Sequence, residues 1–301
     1  MVTARSADLQ RALAELLEHD LGRRDLAFAT PEQLRALARD LVRDADGGFV
    51  GAVKAAAQRL QLGCDADEVA REHVEHLVWV AHRRAFWETR PRSSRDLPGF
   101  VFSTENTHHV LQTAGHPTVL ITPMMLVYED ALWIADAAFA GREVAMYGEE
   151  LIGDATFAAL DALCSFERVR LAAGPRDILG VLDRNGIFVT YPDFTYAGHA
   201  VRHTTFFGMQ WPFSSAFLRI CARPGTMLLP AFIRHAGDGV TFHFAEPLLI
   251  ELQRGAPVDR RWTEPLVAAT VARLLEAMIA ANPAQWQLLV TLVAKCEQRA
   301  R

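Results

Sequence analysis

Between residues 118 and 244 the chain repeats one texture, short apolar runs set between longer stretches with helical periodicity. Runs of this kind, bounded by turn residues and rich in Val, Ile and Leu, read as short buried strands. Their alternation with helical patterns is the habit of an α/β layer fold. The candidate strands are Thr118 to Thr122, Glu143 to Tyr147, Arg168 to Leu171, Ile187 to Tyr191, Thr226 to Ile233 and Val240 to Phe244. Helical patterns lie between them at about 125–140, 154–165, 175–184 and 211–222, and 263–299 reads as helix with a break at Asn282-Pro283.

Upstream the texture differs. Residues 1–90 read as helices only, with Leu9, Leu13, Leu16, Leu17 and Leu21 on one stripe. A second helix opens at a capping box: Thr30 caps it, Pro31 fits its first position, and Gln33 is placed to reach back. Gly47 and Gly48 end that stretch, and a later helix runs from about Asp67 to Trp87. RPRSSRDLPG, Arg90 to Gly99, then breaks the pattern. The expected organisation is an N-terminal all-helical region over 1–98 and an α/β domain over 99–301.

Composition narrows the partners. A net charge of −5 does not suit a protein that holds a phosphate backbone, so nucleic acid is not an expected partner. Cys64, Cys164, Cys221 and Cys296 form no Cys-x-x-Cys pair and no zinc-spaced cluster, so no metal site is expected and a reducing compartment fits. The N-terminus lacks the apolar core of a signal peptide, and no apolar run is long enough for a transmembrane segment. A soluble, cytoplasmic chain is expected. No Gly-x-Gly-x-x-Gly, Walker loop or Gly-x-Ser-x-Gly elbow occurs, so no nucleotide cofactor and no serine-hydrolase mechanism is implied.

Three clusters carry chemistry. TPMMLVYEDA, Thr122 to Ala131, falls at the end of a strand and the start of a helix, where α/β folds collect catalytic groups. Glu129 and Asp130 interrupt its apolar stretch, and buried acids are costly unless paired, so one of them is expected to face a pocket or a cation. The alternative is that one caps a turn and the other is solvated. In the second cluster, Gly186 to Phe213, a strand ends at Asp193 and a loop carries His199, Arg202 and His203 before Phe206-Phe207-Gly208. An aspartate there, with two histidines close by, suits general acid or base work. Pairing of Arg202 with Asp193 in a structural loop is the other reading. In the third, His73 and His76 lie beside Glu72 and Glu75, but the spacing misses the zinc-protease motifs and reads as a solvated helix face. His108-His109 is a polar pair ahead of the first strand.

Several of these segments resemble the bacterial lipid A biosynthesis (lauroyl/myristoyl) acyltransferases, a branch of the lysophospholipid acyltransferase superfamily. TPMMLVYE resembles the family's strand-to-helix turn with its His-x4-Glu/Asp motif, and Gly186 to Asp193 its strand ending in Pro-Asp. Thr205 to Gly208 is similar to its Phe-Phe-Gly turn, a helix over 211–222 followed by Arg223 to Phe232 to its helix and Pro-ending strand, and Asn282 to Trp286 to its Pro-x-Gln-Trp segment. The resemblance implies a mixed central β-sheet flanked by helices. It also implies a histidine base oriented by an acid, with the acyl group arriving on a carrier-protein or CoA thioester. Glu129 matches the acid, but Met124 stands where the histidine belongs, and a thioether takes no proton at neutral pH.

The arginine that would meet an anionic lipid is replaced by YGEE, Tyr147 to Glu150, and the family's N-terminal anchor is not found. Glu129, Asp130, Glu149, Glu150 and Asp193, if convergent, would repel a phosphorylated lipid and attract an amine. The expectation is a repurposed enzyme of specialised metabolism acting on a small amine presented on a carrier protein, by acyl transfer to nitrogen or by intramolecular amine substitution that closes a small ring. Glu129, Asp193, His203 and His199 are its candidate catalytic groups. Met124, Tyr128, Asp130, Arg202, Phe206, Phe207 and Glu149 are expected to contact the substrate. Two alternatives stand beside it: a pseudoenzyme acting as a binding or scaffold partner subunit, and an ordinary lipid acyltransferase with a relocated base.

Overall fold

A computed structural model of the chain describes residues 26–44, 48–60, 64–89, 101–125, 130–131, 138–139, 141–147, 169–172, 174–194, 200–236, 239–249 and 260–290. The chain divides into two compact units: Met1–Val101 with Met125–Val127 and Ile279–Arg301, and Phe102–Met124 with Tyr128–Met278.

The described part of the first unit is mainly helical. Helices α1 (Pro31–Asp44), α2 (Gly48–Arg59) and α3 (Ala66–Thr89) pack together, and a 3-10 turn at Pro283–Gln285 packs on α3. The capping box forms as the sequence predicts: Thr30 N–H donates to Gln33 Oε1 at 2.7 Å and Gln33 N–H to Thr30 Oγ1 at 3.3 Å. Leu34, Ala38 and Leu41 of α1 close a core with Leu26, Val74 and Val78.

The histidine face of α3 is a correction. His73, His76, His82 and Arg83 are buried instead of solvated, because α3 is packed on several sides and buries residues around its circumference. Backbone carbonyls meet the polar atoms: His73 Nδ1 pairs with Ala284 O at 2.7 Å and His82 Nδ1 with Leu26 O at 2.6 Å. His76 stacks on Trp79, and the Arg83 guanidinium lies 4.6 Å over the Phe86 ring. Burial drives the His73 imidazole down to about 4, so it is neutral near pH 7.

The second unit is built on a mixed sheet flanked by helices. Its strands are β1 (Val101–Glu105), β2 (Thr118–Ile121), β3 (Val144–Tyr147), β4 (Val169–Ala172), β5 (Ile187–Thr190), β8 (Met227–Ala236) and β9 (Gly239–Phe244), in the order β1-β9-β8-β2-β5-β3-β4, with β10 (Leu248–Leu249) beside β8. Strands β8, β2, β5, β3 and β4 run parallel, and β9 runs antiparallel to β8. The apolar runs explain the central positions: Val119, Leu120 and Ile121 of β2 and Ile187, Phe188 and Val189 of β5 are all buried. Pro230, which has no N–H to give, sits where β8 finishes pairing with β2, opposite Ile121.

The remaining described α-helices are α4 (His108–Gln112), α5 (Pro175–Asp183), α6 (Ser215–Cys221) and α7 (Arg260–Ala281). His108 and His109 belong to α4. The amino ends of the central strands are fastened by Arg142. Its guanidinium donates to Thr113 Oγ1 at 2.7 Å, Thr118 Oγ1 at 2.9 Å and the carbonyls of His116 and Asn185 at 2.8 and 2.7 Å.

The sequence expectation fails over 200–214. Instead of a loop followed by one helix from 211, β6 (Val201–Phe206) and β7 (Met209–Ser214) form an antiparallel hairpin before α6. Phe206, Trp211 and Phe213 bury one side of the hairpin at strand spacing, and Pro212 is unsuited to a helix interior. Phe207 and Gly208 turn the chain with φ of 47° and 71°, the positive values that a two-residue hairpin of matching twist requires. Phe207 N–H donates to the Glu276 carboxylate, which holds this non-glycine residue in its left-handed conformation. No helix among the described residues is long and apolar enough to cross a membrane.

Candidate functional site

The connections of the sheet select its carboxyl edge. From β2 the chain goes to β3, passing β5, whereas from β5 it goes to β8, passing β2. Right-handed crossovers send two such connections over opposite faces. The crevice outside the strand ends, where they part, is where open α/β sheets bind ligands.

Two candidate residues meet there. β2 and β5 are in register from Thr118↔Ile187 to Ile121↔Thr190, and Thr122 N–H extends the pairing to Thr190 O at 3.2 Å. Past that point Asp193 lies in a turn closed by Phe194 N–H to Tyr191 O at 3.1 Å. The Asp193 carboxylate is wholly buried, and its Oδ2 accepts the backbone N–H of Met124 at 2.9 Å. A charge-assisted bond of this kind is about twice as strong as a neutral one, so the turn after β5 and the segment that follows β2 are held as one piece. Met124 is partly exposed. Asp130 is also wholly buried, in a helical segment following β2.

The hairpin places the other candidates differently. Arg202 does not pair with Asp193. Its Nε donates to Glu264 Oε2 at 3.3 Å, and Arg219 Nε donates to Glu264 Oε1 at 3.0 Å. Burial opposes the charge of Glu264, but these hydrogen bonds and the two guanidinium charges hold its carboxyl below the usual range. His203 is on the exposed side of β6, opposite Pro212. Phe206 is buried in the aromatic side of the hairpin, with its ring 4.9 Å from that of Phe207. Glu129, Tyr128, Glu149 and His199 lie outside the described residues.

The sequence reading passes over a further couple at the same end of the sheet. Glu105, the last residue of β1, has its Oε2 2.9 Å from His243 Nδ1 on β9. His243 is 7% exposed and its ring stacks on Phe232, with centroids 5.0 Å apart and an interplanar angle of 10°. Burial lowers its pKa, partly offset by the charge of Glu105 and reinforced by that of Arg234. The only signal in the sequence is a histidine interrupting the apolar run VTFHF, and its partner lies far away in the chain. Among the described residues no group of His, Cys, Asp and Glu is arranged to hold a metal ion.

Compared with the models of known families and with curated protein sequences, the chain matches neither a family nor a relative.

Proposed function

We propose that this protein is an enzyme on an acyltransferase-like scaffold that acts on a small amine-bearing substrate presented on a carrier protein. The observation that carries the reading is the buried Asp193 carboxylate at the carboxyl edge, fastened to the backbone of Met124. A carboxylate held in that position complements an ammonium group, and the thioether of Met124 takes no proton. The site therefore suits a nitrogen nucleophile whose proton goes to a group other than Met124.

Both reactions expected from the sequence are compatible with this reading. In acyl transfer the amine attacks the thioester carbonyl, an N–C bond forms, the C–S bond breaks and a thiolate leaves. In intramolecular substitution the amine attacks a neighbouring carbon of its own molecule, a leaving group departs with its electron pair, and a small ring closes. Orientation supplies much of the acceleration in the second, with Asp193 taking the proton from the ammonium.

Intact mass spectrometry of the full chain mixed with acyl thioesters and carrier-bound amino substrates tests the reading. Acyl gain on the amine identifies acyl transfer, and loss of a leaving group identifies ring closure. Complex formation without any mass change overturns the enzymatic reading in favour of a scaffold. Met124→His is expected to raise acyl transfer and to leave a ring-closing reaction no faster.

A further inference from the structure

The strand register places His243 at the edge that holds Met124 and Asp193. His243 pairs with Phe232 on β8, two residues past Pro230, and Pro230 is level with Ile121 at the end of β2. β9 is the second strand over from β2, so His243 is level with the residues that follow β2 and about 10 Å to the side at ordinary strand spacing. Its mounting is rigid. The ring is stacked on Phe232, and two residues earlier Thr241 Oγ1 and Ser103 Oγ share a hydrogen bond of 2.8 Å that couples β9 to β1.

The chemistry of the couple follows from the partner. An ionised carboxylate only accepts, so the imidazole keeps its proton on Nδ1 against Glu105 and carries its lone pair on Nε2. That Nε2 is buried and has no hydrogen-bond partner among the described residues. A buried acceptor left without a donor is costly, and a ligand N–H or O–H would satisfy it. A carboxylate behind an imidazole whose far nitrogen is unpartnered is the arrangement of a general base.

We propose that His243, positioned by Glu105, is the proton acceptor that replaces the histidine missing at Met124. The proposal rests on the reading of the carboxyl edge as the site of an amine nucleophile. In the step, the N–H bond of the nucleophile breaks toward Nε2 while its electron pair forms the bond to the thioester carbonyl. The C–S bond then breaks, and the departing thiolate takes the proton back from the imidazolium. Nδ1–H stays on Glu105 throughout, so His243 is the catalytic residue and Glu105 a positioning residue.

The test has two readouts on the full chain. In the first, the ring nitrogens of the 15N-labelled protein are followed by NMR near pH 7 and during titration with ethanolamine. The expected result is Nδ1 protonated, Nε2 bare, and an Nε2 signal that moves saturably with the probe. A proton on Nε2 instead, or an Nε2 signal that ethanolamine leaves unmoved, overturns the proposal whether or not turnover is found. In the second, single-turnover acyl gain is measured against pH. His243→Gln is expected to lose about 100-fold or more and to abolish the acid limb of the profile. Glu105→Gln is expected to lose less and to move that limb to lower pH, because it removes the charge that favours the imidazolium and leaves burial and Arg234 opposing it. Wild-type turnover in His243→Gln overturns the relocated base while leaving the amine-enzyme reading standing. Acyl gain absent from every protein, with the NMR result as expected, overturns the acyl-transfer step and leaves His243 a donor-binding site.

Discussion

Asp193 Oδ2 accepts the backbone N–H of Met124 at 2.9 Å, joining the turn after β5 to the segment that follows β2 across a pair of parallel strands. The bond uses the main chain of Met124, so it is independent of the side chain at that position. It leaves a carboxylate at the strand ends.

Asp193→Asn separates that charge from the bond. The amide oxygen can still accept the N–H, so Tm is expected to shift by less than about 4 °C. Turnover is expected to fall by about 100-fold or more with the loss of the carboxylate. Thermal melts and single-turnover assays of the same preparation check both, and full activity would place the chemistry elsewhere.

Glu264 bonds both Arg202 and Arg219, and its pKa is depressed below the ordinary 4.5. Glu264→Gln is expected to cost about 1–2 kcal/mol near pH 7, a figure discounted because both arginines are part-exposed. A group with a depressed folded pKa stabilises above its unfolded value and loses that contribution as pH falls through the folded one. Urea unfolding midpoints of wild type and variant should therefore differ at pH 7 and converge toward pH 3.

His73 supplies an acid-sensitive element in the helical unit. Its folded pKa is about 4 against an ordinary 6.5, so the unfolded chain binds the extra proton first as pH falls. The stability it supports is complete above 6.5 and is lost between 6.5 and 4, by about 3 kcal/mol over that window. His73→Gln keeps a donor for Ala284 O and carries no titrating ring. Its urea midpoint is expected to fall less than that of wild type between pH 7 and pH 4.

Gly186 joins α5 to β5 without room for a side chain. A Cβ there would lie 2.4 Å from Val181 Cγ1, 2.7 Å from Val181 O and 2.8 Å from Glu143 O. Gly186→Ala is expected to cost about 1–3 kcal/mol in urea unfolding, since backbone must move to admit the methyl group. Gly180→Ala, within α5 and meeting nothing closer than 3.8 Å, is expected to be neutral or stabilising.

Six strands and the capping box at Thr30 were legible in the sequence because their causes are local. A short run of β-branched and aliphatic residues between turn residues favours a buried strand by its length and composition, and Thr30 and Gln33 bond each other within a single turn. Asp193 was legible as well, as an acid at a strand's carboxyl end. The hairpin was not. Its signal is an alternation of aromatics around Phe207-Gly208, and a helical period fits the same residues until the pairing of Val201–Phe206 with Met209–Ser214 is known.

The α/β character and the order of the central elements along the chain follow from local sequence alone. Only the tertiary structure decided which polar groups are buried and what they meet. Arg202 bonds Glu264 and not Asp193, His73 bonds Ala284 O and not water, and His243 bonds Glu105. Each pair is separated by tens to hundreds of residues along the chain. The cost of burying a charge or an imidazole depends on the partner that folding brings to it, and no local spacing carries that information.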